Sequence, residues 1–340
     1  MSEMNNQDSK FRVFWKKNGV LIIMAFLVLV VMILSYTSNA IATEAVLASA
    51  LRHSTPLILG ALCGLIGERS GIINIGIEGQ MLMSAFLSFL IASYTKSIGL
   101  GIVVGLLTGA LLGLLLAFMS IKLKVDQIIG GTVINILALG LTGYFYQAGL
   151  TTSGKLQPIA IPVLSEIPIL GPVFFENPPI TYATIVLVFV VHYVLFHTKW
   201  GLRTRAVGEH PRAADTVGVN VFRLRYINVM IAGAIGGLAG AFLTLEAVGS
   251  FERAMTNGRG FVALAVMLFG KYTPFGAWGA ALLFGLATAM QTQLQFAGTI
   301  DIPHQFIGMI PYVMTILVLA GFVGRTRVPA AGGKVYEKEG

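Results

Sequence analysis

Charged residues and cysteine are both scarce in this sequence. Charged residues make up 11% of the 340 residues and hydrophobic residues 56%, which leaves too little polar surface for a water-soluble domain. The single cysteine, Cys63, lies in an apolar run, so an intrachain disulfide and a thiolate metal site are excluded. The five histidines form no His-Glu-x-x-His pattern, and no nucleophile or paired-acid arrangement indicates an enzyme. Together these shortages predict a membrane protein without catalytic chemistry.

A nucleotide site is also missing. The segment from Gly149 to Lys155 has the Gly-x-x-x-x-Gly-Lys spacing of a phosphate-binding loop, but Leu156 replaces the Ser or Thr that would bind magnesium. The net charge of +8 does not indicate nucleic-acid binding, because the basic residues cluster in short segments between apolar runs. We therefore predict no cofactor bound by this chain, no metal site and no nucleic-acid partner.

Long apolar runs dominate what the sequence does contain. The mean hydropathy is +0.81, and a helix needs about 20 apolar residues to cross a bilayer. Such runs lie at residues 19–38, 45–66, 72–95, 98–121, 126–149, 180–198, 226–248, 259–270, 274–296 and 304–323. The eighth is short, so it is either re-entrant or extended through residues 258–260 and Tyr272, and the count is ten or nine. We predict an all-α polytopic fold with one transmembrane domain, residues 20–323, between tails at 1–19 and 324–340.

Basic residues divide unequally between the two sides of the predicted bundle. With a cytoplasmic amino terminus and ten crossings, 18 of the 23 Lys and Arg residues fall inside. The remaining five fall outside: Arg52, Lys96, Lys155, Arg253 and Arg259. Because cationic loops are retained in the cytoplasm, both termini are predicted to be cytoplasmic.

Glycine recurs at helical spacing in two of the runs. One stripe consists of Gly101, Gly105, Gly109 and Gly113, and the other of Gly233, Gly236, Gly237 and Gly240. Such stripes let another backbone approach closely, so they favour tight helix packing over a role in gating. A weak similarity between the second to fifth and the seventh to tenth runs suggests an inverted repeat, a common transporter plan.

The external loop, residues 149–179, is rich in proline. It holds six of the twelve prolines in the chain. Proline fixes the backbone dihedral φ and removes a hydrogen-bond donor, which favours a stiff extended path over helix or strand.

The internal loop, residues 199–225, is the most polar stretch of the chain. Within it, Pro211 suits the first turn of a helix, Ala213, Ala214 and Val217 give that helix a flat face, and Gly218 can end it. One short helix is therefore predicted. A helix of this length is marginal by itself because nucleation is costly, so we expect it to dock against a neighbouring subunit.

Polar residues inside the apolar runs are the candidates for a solute path. In the segment from Gly67 to Gln80, Asn74 and Glu78 are four residues apart, which places them on one face of a helix. A charge near the bilayer centre costs several kcal/mol, so Glu78 should face the bundle interior, a cavity or a polar partner. Two roles stay open for Glu78: it could connect helices structurally, or it could line the solute path. The leading path candidates are Asn74, Glu78, Gln80 and Asn135, and the weaker ones are Gln147, Glu246, Gln291, Gln293 and Gln295.

Three strings of the sequence resemble a known family. They are Gly67 to Gln80, Gly208 to Ala214 and Gly260 to Gly276, and the likeness extends from about Ala45 to Phe322. The chain is similar to permease subunits of ABC importers of the branched-chain amino acid and ribose class. The form from Ile73 to Gln80 looks most like the subgroup for simple sugars and nucleosides, which works with a lipid-anchored binding protein of the basic membrane protein family.

The resemblance implies a bacterial plasma-membrane importer with several partners. These are a second permease, usually a different chain, a pair of ATPase domains that use ATP and magnesium, and an external binding lipoprotein. It also implies that residues 199–225 contain the coupling helix that contacts the ATPase. The matching positions are Gly208, Glu209, Pro211, Ala213, Ala214 and Gly218. His210 departs from the family pattern, in which Asn is common.

Two questions stay open at this point. The solute could be a nucleoside, or alternatively ribose or another simple sugar. The chain could instead be a secondary transporter with Glu78 or Glu246 as its proton site, in which case it would need no ATPase. Absence of an internal energy source favours the ATP-driven alternative.

Overall fold

The computed structural model describes residues 39–297, 306, 308–309, 313 and 327–338. The predicted amino-terminal tail, the run at 19–38 and most of the run at 304–323 lie outside these residues, whereas most of the carboxyl-terminal tail is described. The inverted repeat, which involves the tenth run, therefore stays a prediction.

The described residues are mainly helical. The helices are α1 (Ala40–Arg69), α2 (Ile77–Thr95), α3 (Ile98–Ala117), α4 (Gln127–Tyr144), α5 (Leu170–Phe174), α6 (Pro179–His197), α7 (Lys199–Glu209), α8 (Pro211–Thr216), α9 (Val221–Ala241), α10 (Arg259–Phe269) and α11 (Pro274–Ala297). Two π-helical segments, Phe118–Lys122 and Phe242–Val248, continue α3 and α9. This confirms the all-α prediction.

Six helical stretches among the described residues are long and apolar enough to cross a membrane. They are α1, α2, α3 with its π segment, α4, α6, and α9 with its π segment. They correspond to the second to seventh predicted runs. The 24-residue α11 occupies the ninth.

The short eighth run forms α10, which has 11 residues. Such a helix rises about 16 Å, well below the roughly 30 Å of a hydrocarbon core. The predicted extension through its flanks is wrong. Left-handed backbone at Gly258, with φ of 78°, and at Lys271 and Tyr272, with φ of 53° and 54°, stops the helix at both ends.

Polar side chains begin several of the membrane helices. Asp126 accepts hydrogen bonds from the N–H groups of Ile128 at 2.8 Å and Ile129 at 3.2 Å, so it caps α4. Asn39 and Asn220 cap α1 and α9 in the same way. A cap satisfies backbone donors that the first helical turn leaves unpaired.

Part of each glycine stripe lies at the α3–α9 interface. Gly105, Gly109 and Gly113 face Gly233 and Gly237 there, whereas Gly236 faces α1 and Gly240 faces α2. A Cβ atom added at Gly109 would overlap the carbonyl oxygen of Gly233, and one at Gly237 would overlap that of Gly105. The two backbones are therefore in direct contact, which confirms the prediction of tight packing. In lipid, such van der Waals contact is a main source of helix association.

Helix α1 lies at the centre of the bundle and packs against α9, α10 and α11. The outer helices carry large exposed apolar side chains, such as Leu111 on α3, Ile136 on α4 and Val186 on α6. Apolar surface of this extent is unusual on a soluble monomer. These faces therefore suit contact with lipid or with another membrane subunit.

The proline-rich loop is not simply extended, contrary to the prediction. Strands β1 (Ile159–Ala160) and β2 (Glu176–Asn177) pair antiparallel, with Ile159 opposite Asn177. The helix α5 lies between them. The Tyr182 hydroxyl donates to the Ile159 carbonyl at 2.8 Å and accepts from the Asn177 N–H at 3.1 Å. These bonds hold the loop folded against the start of α6.

Candidate functional site

The segment Gly67–Gln80 is irregular between α1 and α2. Helix α1 ends at Arg69, Gly71 has a φ of 88°, and α2 begins only at Ile77. The predicted helical face shared by Asn74 and Glu78 is therefore wrong, because Asn74 precedes the helix. Instead, the Asn74 side-chain amide donates to Gln80 Oε1 at 3.0 Å, and both side chains are fully buried.

Glu78 binds the amino-terminal end of α10. Its Oε1 accepts from the Gly258 N–H at 2.8 Å and its Oε2 from the Gly260 N–H at 2.6 Å. A Cβ at Gly260 would overlap the Glu78 backbone, so this close approach requires glycine. A carboxylate is favourable beside the positive end of a helix dipole. Glu78 thus connects α2 to α10.

Helix α4 holds the same irregular segment from another side. Asn135 Oδ1 accepts from the Gly79 N–H at 2.7 Å, and its amide donates to the Ile75 carbonyl at 3.1 Å. Gln127 Oε1 accepts from the Ile73 N–H at 2.7 Å. Asn135 therefore positions the start of α2.

The leading path candidates therefore all lie around the irregular segment before α2. Asn74, Glu78, Gln80 and Asn135 all hydrogen-bond within or next to residues 73–80, and none of them lines the large cavity described below. Gln147 is exposed and follows the end of α4. Gln291, Gln293 and Gln295 lie on α11, away from that cavity.

Glu246 makes a second carboxylate cap. It lies in the π segment Phe242–Val248 and accepts from the N–H groups of Ile180 at 2.7 Å and Thr181 at 3.1 Å, and from the Thr181 hydroxyl at 2.6 Å. These donors belong to the first turn of α6. Glu246 therefore connects α9 to α6 as Glu78 connects α2 to α10.

A cavity of about 740 Å³ opens between α1, the proline-rich loop, the π segment Phe242–Val248 and the start of α10. Its polar lining comprises Ser49, Arg52, His53, Lys155, Glu246, Glu252, Arg253, Asn257 and Arg259. Four of the five basic residues predicted to be external meet here: Arg52, Lys155, Arg253 and Arg259. The charge distribution had placed them on one side of the bundle, and the structure brings them together.

Residues 249–258 form one wall of this cavity. Phe251 packs among Phe86, Phe89 and Tyr146, with ring centroids 5.0 to 6.2 Å apart. Arg259 donates to the Met255 carbonyl at 2.7 Å. Because Glu78 binds Gly258 and Gly260, it holds the backbone on either side of the cavity residue Arg259.

Most of the cavity residues were not predicted as site residues from the sequence. Arg52 and His53 interrupt an otherwise apolar run at 45–66, which was a usable signal. The sequence around residues 249–258 predicts a loop, and this loop holds or adjoins Glu252, Asn257 and Arg259. No pattern in the neighbouring sequence predicts that the loop lies next to α1. The cavity therefore presents positively and negatively charged side chains to a polar solute, together with neutral groups that donate and accept hydrogen bonds.

The internal loop forms two helices, α7 and α8, rather than the one predicted. Helix α8 begins at Pro211 as expected, and Gly218, with a φ of 83°, follows its end. Helix α7 was not predicted, because it has no long apolar face. Its start signal is Thr198, whose hydroxyl accepts from the Gly201 N–H at 3.2 Å and caps the helix.

The predicted coupling residues divide into two groups. Glu209, Ala213 and Gly218 are exposed and Pro211 is half-buried, so they can reach a partner. Gly208 and Ala214 are buried within the chain, and a Cβ at Gly208 would overlap the Arg69 carbonyl. These two position α7 and α8 against the end of α1 and against α9.

Residues 46–319 match the family described as the branched-chain amino acid transport system permease component. The chain is 41% identical over 306 residues to the guanosine ABC transporter permease protein NupQ of Bacillus subtilis, with 85% of this chain and 95% of NupQ covered. It is 39% identical over 308 residues to the nucleoside ABC transporter permease protein NupC of Lactococcus lactis, with 87% and 97% covered. It is 35% identical over 316 residues to the putative glucose ABC transporter permease protein TsgC13 of Haloferax volcanii, with 85% and 96% covered.

These matches extend over most of the described bundle, including the cavity and the internal helices α7 and α8. Apart from the first turns of α1, the described helices, the irregular segment before α2 and the internal helices α7 and α8 fall within residues 46–319. This chain is therefore a multi-pass membrane protein of the branched-chain amino acid transport permease family, the class that its sequence motifs resemble.

Proposed function

We propose that the chain forms half of a translocation path for nucleosides in an ATP-driven importer. The observation that carries this proposal is the polar cavity of about 740 Å³ between membrane helices. Its size lies within the roughly 300–1,000 Å³ of small-molecule sites. The similarity to permeases named for guanosine and for nucleosides supports nucleosides as the solute.

The cavity lining suits a nucleoside chemically. Ribose hydroxyls and the edge of a base both donate and accept hydrogen bonds, and His53, Glu252 and Asn257 supply complementary groups. Phe242 and Met255 supply apolar surface that could contact the face of the base.

The internal helices α7 and α8 form the proposed contact with a separate ATPase. The exposed residues Glu209, Ala213 and Gly218, with the half-buried Pro211, would lie in a groove of that partner. ATP binding would bring the ATPase domains together, move the coupling helices and open the path alternately outward and inward. The side bearing α7 and α8 is then cytoplasmic, and the cavity opens externally.

A second permease completes the path in this proposal. The exposed apolar side chains of α4, such as Ile129, Ile136 and Leu139, belong to the helix that also holds residues 73–79. A partner on this face would contact the element that positions α2. We propose that the partner is a different permease chain, and that an external binding lipoprotein delivers the solute to the cavity.

The proton-coupled alternative is weakened by the positions of its two candidate carboxylates. Glu78 and Glu246 each accept backbone N–H groups at a helix amino terminus. A proton carrier has to exchange its proton with the solvent during each cycle. To exchange a proton, Glu78 and Glu246 would have to break their hydrogen bonds to the helix N–H groups.

The decisive experiment reconstitutes the complex of both permeases, the ATPase and the binding lipoprotein in proteoliposomes. ATP hydrolysis is measured while the binding protein is loaded in turn with guanosine, uridine, ribose or galactose. We expect a nucleoside to stimulate hydrolysis and to be taken up, whereas the sugars have no effect.

Two outcomes would contradict the proposal. Stimulation by a sugar alone would show that the solute class is wrong. Uptake by this chain alone, driven by a pH gradient without ATPase, would show that the mechanism is wrong.

A further inference from the structure

The carboxyl-terminal segment Arg327–Lys338, here called the tail strap, lies against the internal helices. The Ala331 N–H donates to the Gly208 carbonyl at 2.9 Å, at the end of α7. The Ala330 N–H donates to Glu209 Oε2 at 3.3 Å. The strap therefore meets the chain where α7 passes into α8.

Tyr336 gives the strap an apolar attachment. It is 8% exposed and belongs to a buried cluster with Val207, Ala214, Val221 and Leu224. Its ring centroid lies 5.3 Å from that of Phe222. This cluster joins α7, α8 and α9, and Tyr336 contributes the only aromatic ring among its buried members. Burial of such a ring is worth more than a surface ion pair.

The same strap contacts the irregular segment before α2. Gly333 packs against the Ile73 side chain, and the Ala331 carbonyl lies close to Gly71. Arg225 joins the two segments, since it donates to the Ser70 carbonyl at 3.1 Å and to the Lys334 carbonyl at 3.4 Å. The strap thus touches both the proposed coupling helix and the segment that holds Glu78.

Two surface ion pairs lie at the end of the strap. Lys338 lies 3.7 Å from the Asp215 carboxylate of α8, and Lys124, between α3 and α4, pairs with Glu337. A cleft of about 620 Å³ separates the strap from Pro211 and Ala213. The strap therefore holds the buried side of α8 and leaves its outer side accessible to a partner.

We propose that the tail strap positions the coupling helix α8 and transmits its displacement to residues 70–73, and through them to α2 and α10. This rests on the proposed docking of an ATPase at α8. The strap would act as a positioning element, with Tyr336 as its principal contact.

The test uses the full reconstituted complex and compares four variants with the parent chain. Tyr336→Ala removes the buried ring, Tyr336→Phe keeps it, and a stop codon at Arg327 removes the strap. Val335→Ala is the matched control, because the neighbouring Val335 is 42% exposed. Three quantities are measured: ATPase co-purification, basal hydrolysis, and solute uptake per ATP in the presence of loaded binding protein.

We expect Tyr336→Ala and the truncation to retain the ATPase and basal hydrolysis. Uptake per ATP should fall roughly fivefold or more, the lower end of typical coupling between sites. Tyr336→Phe should retain most of the coupling, and Val335→Ala should behave like the parent chain. A role confined to stability would lower the yield of complex without changing the ratio of uptake to hydrolysis.

Ala213→Arg, on the outer side of α8, separates the two proposals. Unchanged uptake per ATP in Tyr336→Ala and in the truncation, with uncoupling in Ala213→Arg, would overturn the strap proposal alone. Unchanged coupling in all three would overturn the docking site and the strap together. Loss of assembly in both strap variants would also overturn the proposal, because the strap would then be a folding element.

Discussion

At the scale of single residues, two acidic side chains connect helices that are distant in sequence. Glu78 on α2 caps α10, and Glu246 after α9 caps α6. In a bundle with few charges, each carboxylate satisfies donors that the helix start would otherwise leave unpaired. The two residues are therefore structural in the described conformation, and α10 depends on one of them.

We predict that Glu78→Ala destabilises the protein by about 1–3 kcal/mol, the usual penalty for leaving buried donors unpaired. The measurement is the thermal unfolding midpoint of the purified protein in detergent. Glu166→Ala, at an exposed position in the proline-rich loop, is the control and should leave the midpoint unchanged. Equal midpoints for the two variants would contradict the capping role.

His53 tests the cavity as a solute site. It lies on α1 and lines the cavity, and loss of one hydrogen bond to a solute costs about 0.5–1.5 kcal/mol. We therefore predict that His53→Ala raises the KM for nucleoside uptake by up to about tenfold. His197→Ala, at the far end of α6, should leave KM unchanged. An unaltered KM in His53→Ala would exclude this residue from the path.

At the scale of elements, α3 and α9 touch through glycine rather than through side chains. We predict that Gly109→Leu disrupts this contact and lowers stability by at least about 1–3 kcal/mol, the usual effect of overpacking. Gly99→Leu is the matched control, because a Cβ at Gly99 meets open space on the same helix. The yield and unfolding midpoint of the two variants measure the difference. Similar values would argue against backbone contact.

Helix α8 is the proposed contact with the separate ATPase. Ala213 is exposed, so Ala213→Arg should fold normally and obstruct only a partner. We expect ATP hydrolysis to continue while nucleoside uptake falls by about tenfold or more, within the range of typical coupling free energies. Lys96→Ala, on the opposite side of the bundle, is the control. Normal uptake in Ala213→Arg would remove α8 as the docking element.

At the scale of the whole molecule, the exposed apolar face of α4 is the proposed contact surface for a second permease. We predict that native mass spectrometry of the complex finds one copy of this chain beside one copy of a different permease. The residues 73–79 that α4 supports would then lie near the junction of the two. Two identical copies of this chain would contradict the proposed heteromeric path.

Helix positions were predictable from sequence because hydropathy is a local property. The run at 274–296 became α11, Pro274–Ala297, and the run at 180–198 became α6, Pro179–His197. Irregular backbone was harder to predict, since the segment before α2 is as apolar as a helix. Only contacts from distant residues, such as Gln127 and Asn135, show why it stays irregular.

The sites were predictable to a smaller extent. The importance of Glu78 followed from the cost of burying a charge, but its partners, Gly258 and Gly260, are about 180 residues away in sequence. Such pairings leave no local pattern. The cavity was missed for the same reason, because its walls come from α1, the proline-rich loop and the segment before α10.

The glycine contact between α3 and α9 has a mechanical consequence. Where two main chains touch, no layer of side chains remains in which one helix can slide or rotate against the other. The pair therefore has to travel as one rigid body during any cycle of opening and closing. Any bending next to this pair then falls on the irregular backbone at its four ends, residues 96–97, 123–126, 217–220 and 249–258.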